Sequence, residues 1–256
     1  MRTQILAEPG STAEGQHDVL IALLDTAADC GATAWKPQWT SDPDAMVSRR
    51  HVPGIYRQYY GWLAWPQAWH EDFARRCHAR EMLYGCSVYL SQDLAVVARY
   101  VDFLKIASFE ATDTAFVEAA LDTVIPVIVS AGMLGARPCY ARDRQPLVLH
   151  SCSCYPAPWQ AMNLRVLPHF DGLSDHSRCL MTGALAVGQG AGIVETHYRL
   201  DTCKAANPDY AVAFTPAEYT QYIQHIRDAE QLLGDGVLRV QPCEQALAQY
   251  QVRGRG

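Results

Sequence analysis

Short apolar runs alternate with amphipathic stretches along the chain, and this rhythm predicts a parallel β/α protein. The runs Gln4–Glu8, Ala34–Gln38, Leu83–Tyr89 and Phe103–Ser108 read as the first four strands. Pro126–Ser130, Leu147–Ser153, Gly172–Asp175 and Gly192–His197 read as four more. Helical spacing fills the gaps at His17–Cys30, Ala68–Arg80, Asp93–Arg99, Ala115–Leu121, Met162–Phe170 and Met181–Gln189. Thr215–Leu233 reads as a closing helix, with Thr215 as N-cap, Pro216 at the first helical position and Glu218 at the third. Two places break the rhythm. Segment 39–66 is rich in Pro, Tyr and Arg and lacks a period, which predicts a long ordered loop, a functional lid, after strand two. The 16 residues between Ser130 and Leu147 include Pro138, so the fifth crossover helix is expected to be reduced or lost. The pattern as a whole predicts the α/β class and a (β/α)8 TIM barrel, one domain over residues 1–256, close to the usual length of about 250.

Composition narrows the function. Apolar residues at 49% and charged residues at 19% describe a soluble globular protein. A net charge of −6 argues against a nucleic-acid surface, which needs a basic stripe. Neither a signal peptide nor a membrane span is expected, because the chain has no basic head before an apolar core and no apolar run approaching about 18 residues. The nine cysteines, without a Cys-x-x-Cys pair, suit a reducing cytoplasm. Around Cys152 and Cys154, strand alternation turns Ser151, Ser153 and Tyr155 to one face and packs both cysteines outward against helices; metal binding by the pair is the alternative.

Only three of the 21 basic residues are lysines: Lys36, Lys105 and Lys204. The first two fall in apolar strands, where an ammonium is costly unless an anion meets it. A partly exposed lysine at a strand end would also account for them. Arg49, Arg50 and His51 in segment 39–66 are candidates to touch an anionic substrate, or else a solvated cluster. Two strands end on histidine, His176 in Gly-Leu-Ser-Asp-His-Ser and His197 in Gly-Ile-Val-Glu-Thr-His-Tyr. A barrel delivers strand ends to one mouth, so the two imidazoles could share a divalent metal. Each could equally bond backbone in the core.

The same order of pieces carries a family likeness. Ala-Glu-x-Gly (7–10), Ala-Thr-Ala-Trp-Lys-Pro-Gln (32–38), Leu-Lys-Ile-Ala-Ser-Phe-Glu (104–110) and Pro-Val-Ile-Val-Ser-Ala-Gly-Met (126–133) come first. Ser-Cys-Tyr-Pro-Ala-Pro (153–158), the two histidine motifs and Asn-Pro-Asp (207–209) follow. From Ala7 to about Gly236 the chain resembles the N-acetylneuraminate (sialic acid) synthase family. That resemblance implies a barrel that condenses phosphoenolpyruvate with an aldehyde acceptor to give a 2-keto acid and phosphate. It implies His176 and His197 as ligands of a divalent metal, manganese or magnesium. Lys36 and Lys105 match the lysines that hold phosphoenolpyruvate, and Ser87, Ser108, Ser153 and Ser174 match donors around it. Glu14 and Asp209 match the acid/base pair, and Glu110 and Tyr155 match acceptor contacts.

Departures from the family pattern fall on the acceptor side. The family's C-terminal antifreeze-like domain, which caps the partner's site, is not expected here, where the sequence closes on a short Arg-Gly tail. A homo-oligomer, if formed, is therefore not expected to use the family's domain swap. The family's Asn-His motif is Ser11-Thr12-Ala13, and its Gly-Pro-Asp is Asn207-Pro208-Asp209. The resemblance thus implies a retained donor half and a rebuilt acceptor half, with a different sugar or a nucleoside-type aldehyde in place of N-acetylmannosamine. Two other readings stay open: a metal-dependent lyase or hydrolase on the same barrel, and a non-catalytic barrel subunit working with a separate chain.

Overall fold

A computed structural model describes residues 2–252; Met1 and residues 253–256, which hold most of the Arg-Gly tail, lie outside them. Eight parallel strands close into a barrel in chain order: β1 (Gln4–Glu8), β2 (Ala34–Trp35), β3 (Leu83–Ser87), β4 (Phe103–Ile106), β5 (Val127–Ser130), β6 (Leu147–Ser151), β7 (Gly172–Asp175) and β8 (Ile193–His197). β8 pairs with β1 over five residues, from Gln4 opposite Ile193 to Glu8 opposite His197, which completes the ring. The outer layer includes α1 (His17–Cys30), and the chain later closes with a long helix, Pro216–Leu233, that carries the Thr215–Glu218 capping box.

The alternation of each strand divides the interior into layers. Leu6, Ala34, Phe103, Ile128, Leu149 and Ile193 form an apolar cluster of their own. Two residues further along the same strands stand Glu8, Lys36, Lys105, Ser130, Ser151 and Glu195, all buried. Gly85 and Gly172 hold the matching floor positions of β3 and β7, with Ser87 and Ser174 above them. A Cβ at Gly85 would collide with the Phe103 ring, so the missing side chain lets the phenyl fill the floor. The barrel is thus sealed by hydrocarbon below and polar above.

Segment 39–66 is ordered, and most of it is helical rather than a loop. It contains α2 (Pro43–Arg50) and α3 (Tyr56–Leu63). Asp42 caps α2 by accepting hydrogen bonds from the Asp44 and Ala45 N–H groups, and Pro43 starts the helix without a wasted donor. Met46, Tyr60 and Leu63 of the two helices pack with Tyr89 and Leu90 at the end of β3. After them come α4 (Trp69–Ala79), α5 (Ser91–Val97) and α6 (Thr114–Leu121). No helix lies between β5 and β6.

Residues 162–170 form a 3₁₀ segment, Leu164–His169, in place of the expected α-helix; Pro168 inside it cannot supply the N–H that an α-helix needs. β6 stops at Ser151, so strand alternation ends before Cys154, which is exposed and not packed outward against helices. Cys152 does pack against the core. Among the described residues, no helix is long and apolar enough to cross a membrane.

Candidate active site

Above the floor, four charged side chains meet in the barrel interior. Glu8 Oε2 contacts Lys36 Nζ, and Glu195 lies 3.6 Å from Lys36 and 3.5 Å from Lys105. Lys36 Nζ donates to Ser87 Oγ at 2.7 Å, and Lys105 Nζ donates to Ser130 Oγ at 2.7 Å. Ser174 Oγ donates to Glu195 Oε1 at 2.8 Å. Burial would raise the Glu195 carboxyl, but the ammonium groups of Lys105 and Lys36 hold it at about 2. Burial lowers Lys36 to about 8 against the pull of Glu195. These residues line an inner chamber of about 40 Å³ whose far wall includes Ser108 and Ser130.

Gly132 follows β5 and opens a cradle beside that chamber. Its N–H donates to Ser108 Oγ at 3.0 Å, while Ser153 Oγ is buried with no hydrogen-bond partner. A Cβ at Gly132 would collide with Ser153 Oγ and come within 2.8 Å of Ser108 Oγ. Two hydroxyls and a bare backbone therefore share one small space, and one of the hydroxyls has no partner within the protein.

His176 and His197 face each other over the chamber with ring centroids 5.4 Å apart, and Tyr155 packs 4.3 Å from His176. His176 Nδ1 donates to the Cys152 carbonyl at 3.0 Å, which leaves its Nε2 lone pair free. Burial, with His197 beside it, lowers His176 to about 3. Burial also lowers His197, against the pull of Asp209. The His197 Nδ1 atom is buried and has no hydrogen-bond partner. Two neutral imidazoles, one with an orphaned nitrogen, fit a cation whose other positions are filled by substrate or water. Among the described residues, no group of three or more His, Cys, Asp or Glu is placed to hold a metal ion, so these two imidazoles are the ligands the protein offers here.

The chamber opens into a cleft of about 820 Å³ under α2 and α3, lined by Arg49, Arg50, six aromatic side chains, Glu110, Asp113 and Asp209. Arg50 makes a bidentate pair with Glu110, with both contacts at 2.9 Å, and its guanidinium lies 4.6 Å from the Phe109 ring centre. Arg49 donates to Asp113 at 2.6 Å. Asp209 accepts from both the Ser11 N–H, at 2.7 Å, and its hydroxyl, at 2.8 Å.

Residues 23–238 match the NeuB family. The chain belongs to the NeuB family. An N,N'-diacetyllegionaminic acid synthase of Legionella pneumophila is similar to it, 32% identical over 263 residues that cover 91% of this chain and 73% of that protein. A pseudaminic acid synthase of Campylobacter jejuni is 27% identical over 263 residues, covering 91% and 76%. A crystal structure of N-acetylneuraminic acid (sialic acid) synthetase from Leptospira borgpetersenii, in complex with citrate, has a TM-score of 0.85 and 25% identity. The match covers 98% of this chain and 91% of that one.

Within this NeuB barrel, Lys36, Ser87, Lys105, Ser108, Ser174, His176, His197 and Tyr155 all line the inner chamber. Ser153 adjoins it through Gly132, and Glu110 and Asp209 line the outer cleft. Glu14 is not among the lining residues; it pairs with Lys204 at 3.1 Å. Glu8 is the acid of the β1 end that reaches the chamber. Sequence reasoning missed Glu8, Gln38, Ser130 and Glu195. Strand parity would have found them, since each lies two residues from a floor, chamber or mouth position already on the same strand or its extension.

Proposed function

We propose that this NeuB-family protein is a metal-dependent synthase that joins phosphoenolpyruvate to an aldehyde acceptor. The observation that carries the reading is the meeting of Lys36 and Lys105 around Glu195, directly beneath His176 and His197. The relatives named as sialic, legionaminic and pseudaminic acid synthases support the same class.

In this reading Lys36 and Lys105 hold the carboxylate and phosphate of phosphoenolpyruvate, with Ser87 and Ser130 orienting the ammonium groups and Ser174 orienting Glu195. The Gly132 cradle, with Ser108 and Ser153, takes the remaining anionic oxygens. Glu8 and Glu195 already neutralise the two lysines, so the trianion needs further positive charge. His176 and His197 would hold a divalent cation, manganese or magnesium, which when bound would supply that charge and act as a Lewis acid toward the acceptor carbonyl. The methylene carbon of phosphoenolpyruvate forms the new bond to the aldehyde carbon. Water then adds to the carbon bearing phosphate, and phosphate leaves with the C–O electron pair.

Fixed cations at both ends of phosphoenolpyruvate hold it in attack geometry, a contribution of several kcal/mol. Glu8 is assigned the proton transfers at the chamber in place of Glu14, which stays with Lys204 at the rim. Asp209 is assigned those at the acceptor, because a Cβ on Gly10 would meet both its carboxylate and His197 Nδ1. Glu110 and Tyr155 contact the acceptor. Calorimetry with manganese should show phosphoenolpyruvate binding, and mass spectrometry should show a keto acid three carbons longer than the aldehyde. Absence of binding, or a product without the added carbons, would exclude the reading and favour a lyase or hydrolase.

A further inference from the structure

Arg199 is 5% exposed, the only fully buried arginine among the described residues. Unlike Arg49, Arg50, Arg178 and Arg227, it has no carboxylate partner among them. Its Nη1 donates to the Leu200 carbonyl at 3.2 Å, and its Nε is buried with no partner. The guanidinium lies 4.0 Å from the centre of the Tyr210 ring. Counting in twos along β8 from Glu195 through His197 reaches Arg199, while Tyr198 turns outward to Trp35 and Tyr219. In the proposed reaction this cation has no task.

Its surroundings supply one. Residues 199–213 form a compact loop closed at its neck. There the Arg199 N–H donates to the Phe214 carbonyl at 2.9 Å, and the Phe214 N–H donates to the His197 carbonyl at 3.0 Å. The loop carries Asp209, immediately before Tyr210. Asn207 Oδ1 accepts from the Asp209 N–H at 3.0 Å, and Asp209 Oδ2 accepts from the Ser11 N–H and hydroxyl. The fit is close, since a Cβ on Gly10 would collide with Asp209 Oδ2 and come within 3.0 Å of His197 Nδ1. Burying a guanidinium without a carboxylate is costly, and hydrocarbon of similar length would fill the loop with less penalty. What the guanidinium adds is direction: a rigid plane that stacks on one ring face and bonds one carbonyl. It thereby ties Leu200 at the neck to Tyr210, beside Asp209, at one spacing.

We propose that Arg199 is a positioning residue for the acceptor half of the reaction: stacked on Tyr210, it fixes the 199–213 loop so that the Asp209 carboxylate stays beside His197. The inference rests on the reading above, which gives Asp209 the proton transfers at the acceptor. Arg199 acts through Asp209, since it lines neither the chamber nor the cleft.

The test has two arms. In the first, hydrogen–deuterium exchange at the Ser11 amide reads where Asp209 stands, because that N–H is bonded to its carboxylate. Arg199→Met and Tyr210→Leu should each speed this exchange by about tenfold or more while the β4 and β5 amides stay as they were. Tyr210→Phe keeps the ring and should exchange as the parent does. In the second arm, phosphate release is followed with arabinose and N-acetylmannosamine as acceptor probes. Arg199→Met should lower kcat by about tenfold or more and leave the phosphoenolpyruvate KM within about twofold. Adding it to Asp209→Asn should cost nothing further, since a residue that acts through Asp209 has nothing left to position. Unchanged Ser11 exchange in both Arg199→Met and Tyr210→Leu, or losses that multiply in the double variant, would overturn the proposal. Should urea titration show that Arg199→Met does not fold, Tyr210→Leu carries both arms. Failure of the parent protein to bind phosphoenolpyruvate, or to convert either probe, counts against the synthase reading instead, and the exchange arm still decides whether Arg199 places Asp209.

Discussion

Lys105 on β4 and Glu195 on β8 lie 3.5 Å apart although their strands stand on opposite sides of the closed barrel. The two side chains cross the interior at one height, and Lys36 joins them from β2. A buried charge set like this is weak evidence for stability, because desolvation offsets much of the Coulomb gain. It holds the chamber open and polar where a hydrophobic interior would simply fill it.

Lys105→Met should expose the cost of that arrangement. Glu195 would keep only Lys36 as a nearby cation, and removing one partner of a buried pair costs about 3–5 kcal/mol at the upper end. Adding Glu195→Gln should recover part of the loss, since the stranded charge is then gone. Urea unfolding of the single and double variants measures both effects. A single variant within about 0.5 kcal/mol of the parent would contradict the account.

If Lys36 holds phosphoenolpyruvate as proposed, its affinity should depend on pH. Burial holds its folded pKa at about 8, below the ordinary 10.5. Below 8 the ammonium is charged in both folded and unfolded chains, and its desolvation cost is fully present. Between 8 and the unfolded value the unfolded chain holds a proton that the folded one has released, so this group's contribution to stability improves as pH rises. Anion binding has the opposite sign, because it needs the charged form. The dissociation constant for phosphoenolpyruvate should therefore rise above pH 8, approaching about tenfold per pH unit. Calorimetry at pH 9 in two buffers of different ionisation enthalpy should show proton uptake on binding, and Lys36→Met should abolish the uptake.

The strands were legible because buried parallel strands are apolar runs and the loops between them are not. Segment 39–66 was less so. α2 and α3 are eight residues each, too short for a period to stand out, and half of α3 is aromatic. The Asp42-Pro43 start of α2 was a usable cue, as both residues serve the first turn. In the site, Lys36 and Lys105 stood out because an ammonium in an apolar strand is conspicuous. Glu8 and Glu195 occupy equally apolar strands but invite less suspicion, and the resemblance points to the loop acid Glu14 without drawing attention to Glu8. The pairing of Arg50 with Glu110 spans 60 positions and could not be read from local pattern.

The histidine pair predicts metal binding with a ligand-specific loss. His176→Ala and His197→Ala should each weaken manganese binding by more than the roughly 10–100-fold seen when only a supporting partner is removed. Electron paramagnetic resonance of free manganese in a titration reads this directly. Neither substitution removes a floor residue, so unfolding should shift little. Manganese affinity unchanged in both variants would remove the metal from the mechanism.

Gly132→Ala tests the cradle without touching a charge. The added methyl would displace the Ser153 and Ser108 hydroxyls, which can rotate aside, so the barrel should fold with a stability change of no more than about 1–3 kcal/mol. What the methyl would still occupy is the space between those hydroxyls and the Gly132 N–H. In the proposed reaction that space takes oxygens of phosphoenolpyruvate, so its KM should rise by about tenfold or more while the acceptor KM stays near its starting value. The comparison separates a filled anion cradle from general damage, since a distorted barrel would raise both constants together. Steady-state phosphate release at varied phosphoenolpyruvate and fixed aldehyde, then the reverse, decides between them; equal increases in both constants would mean that Gly132 supports the fold and not the anion.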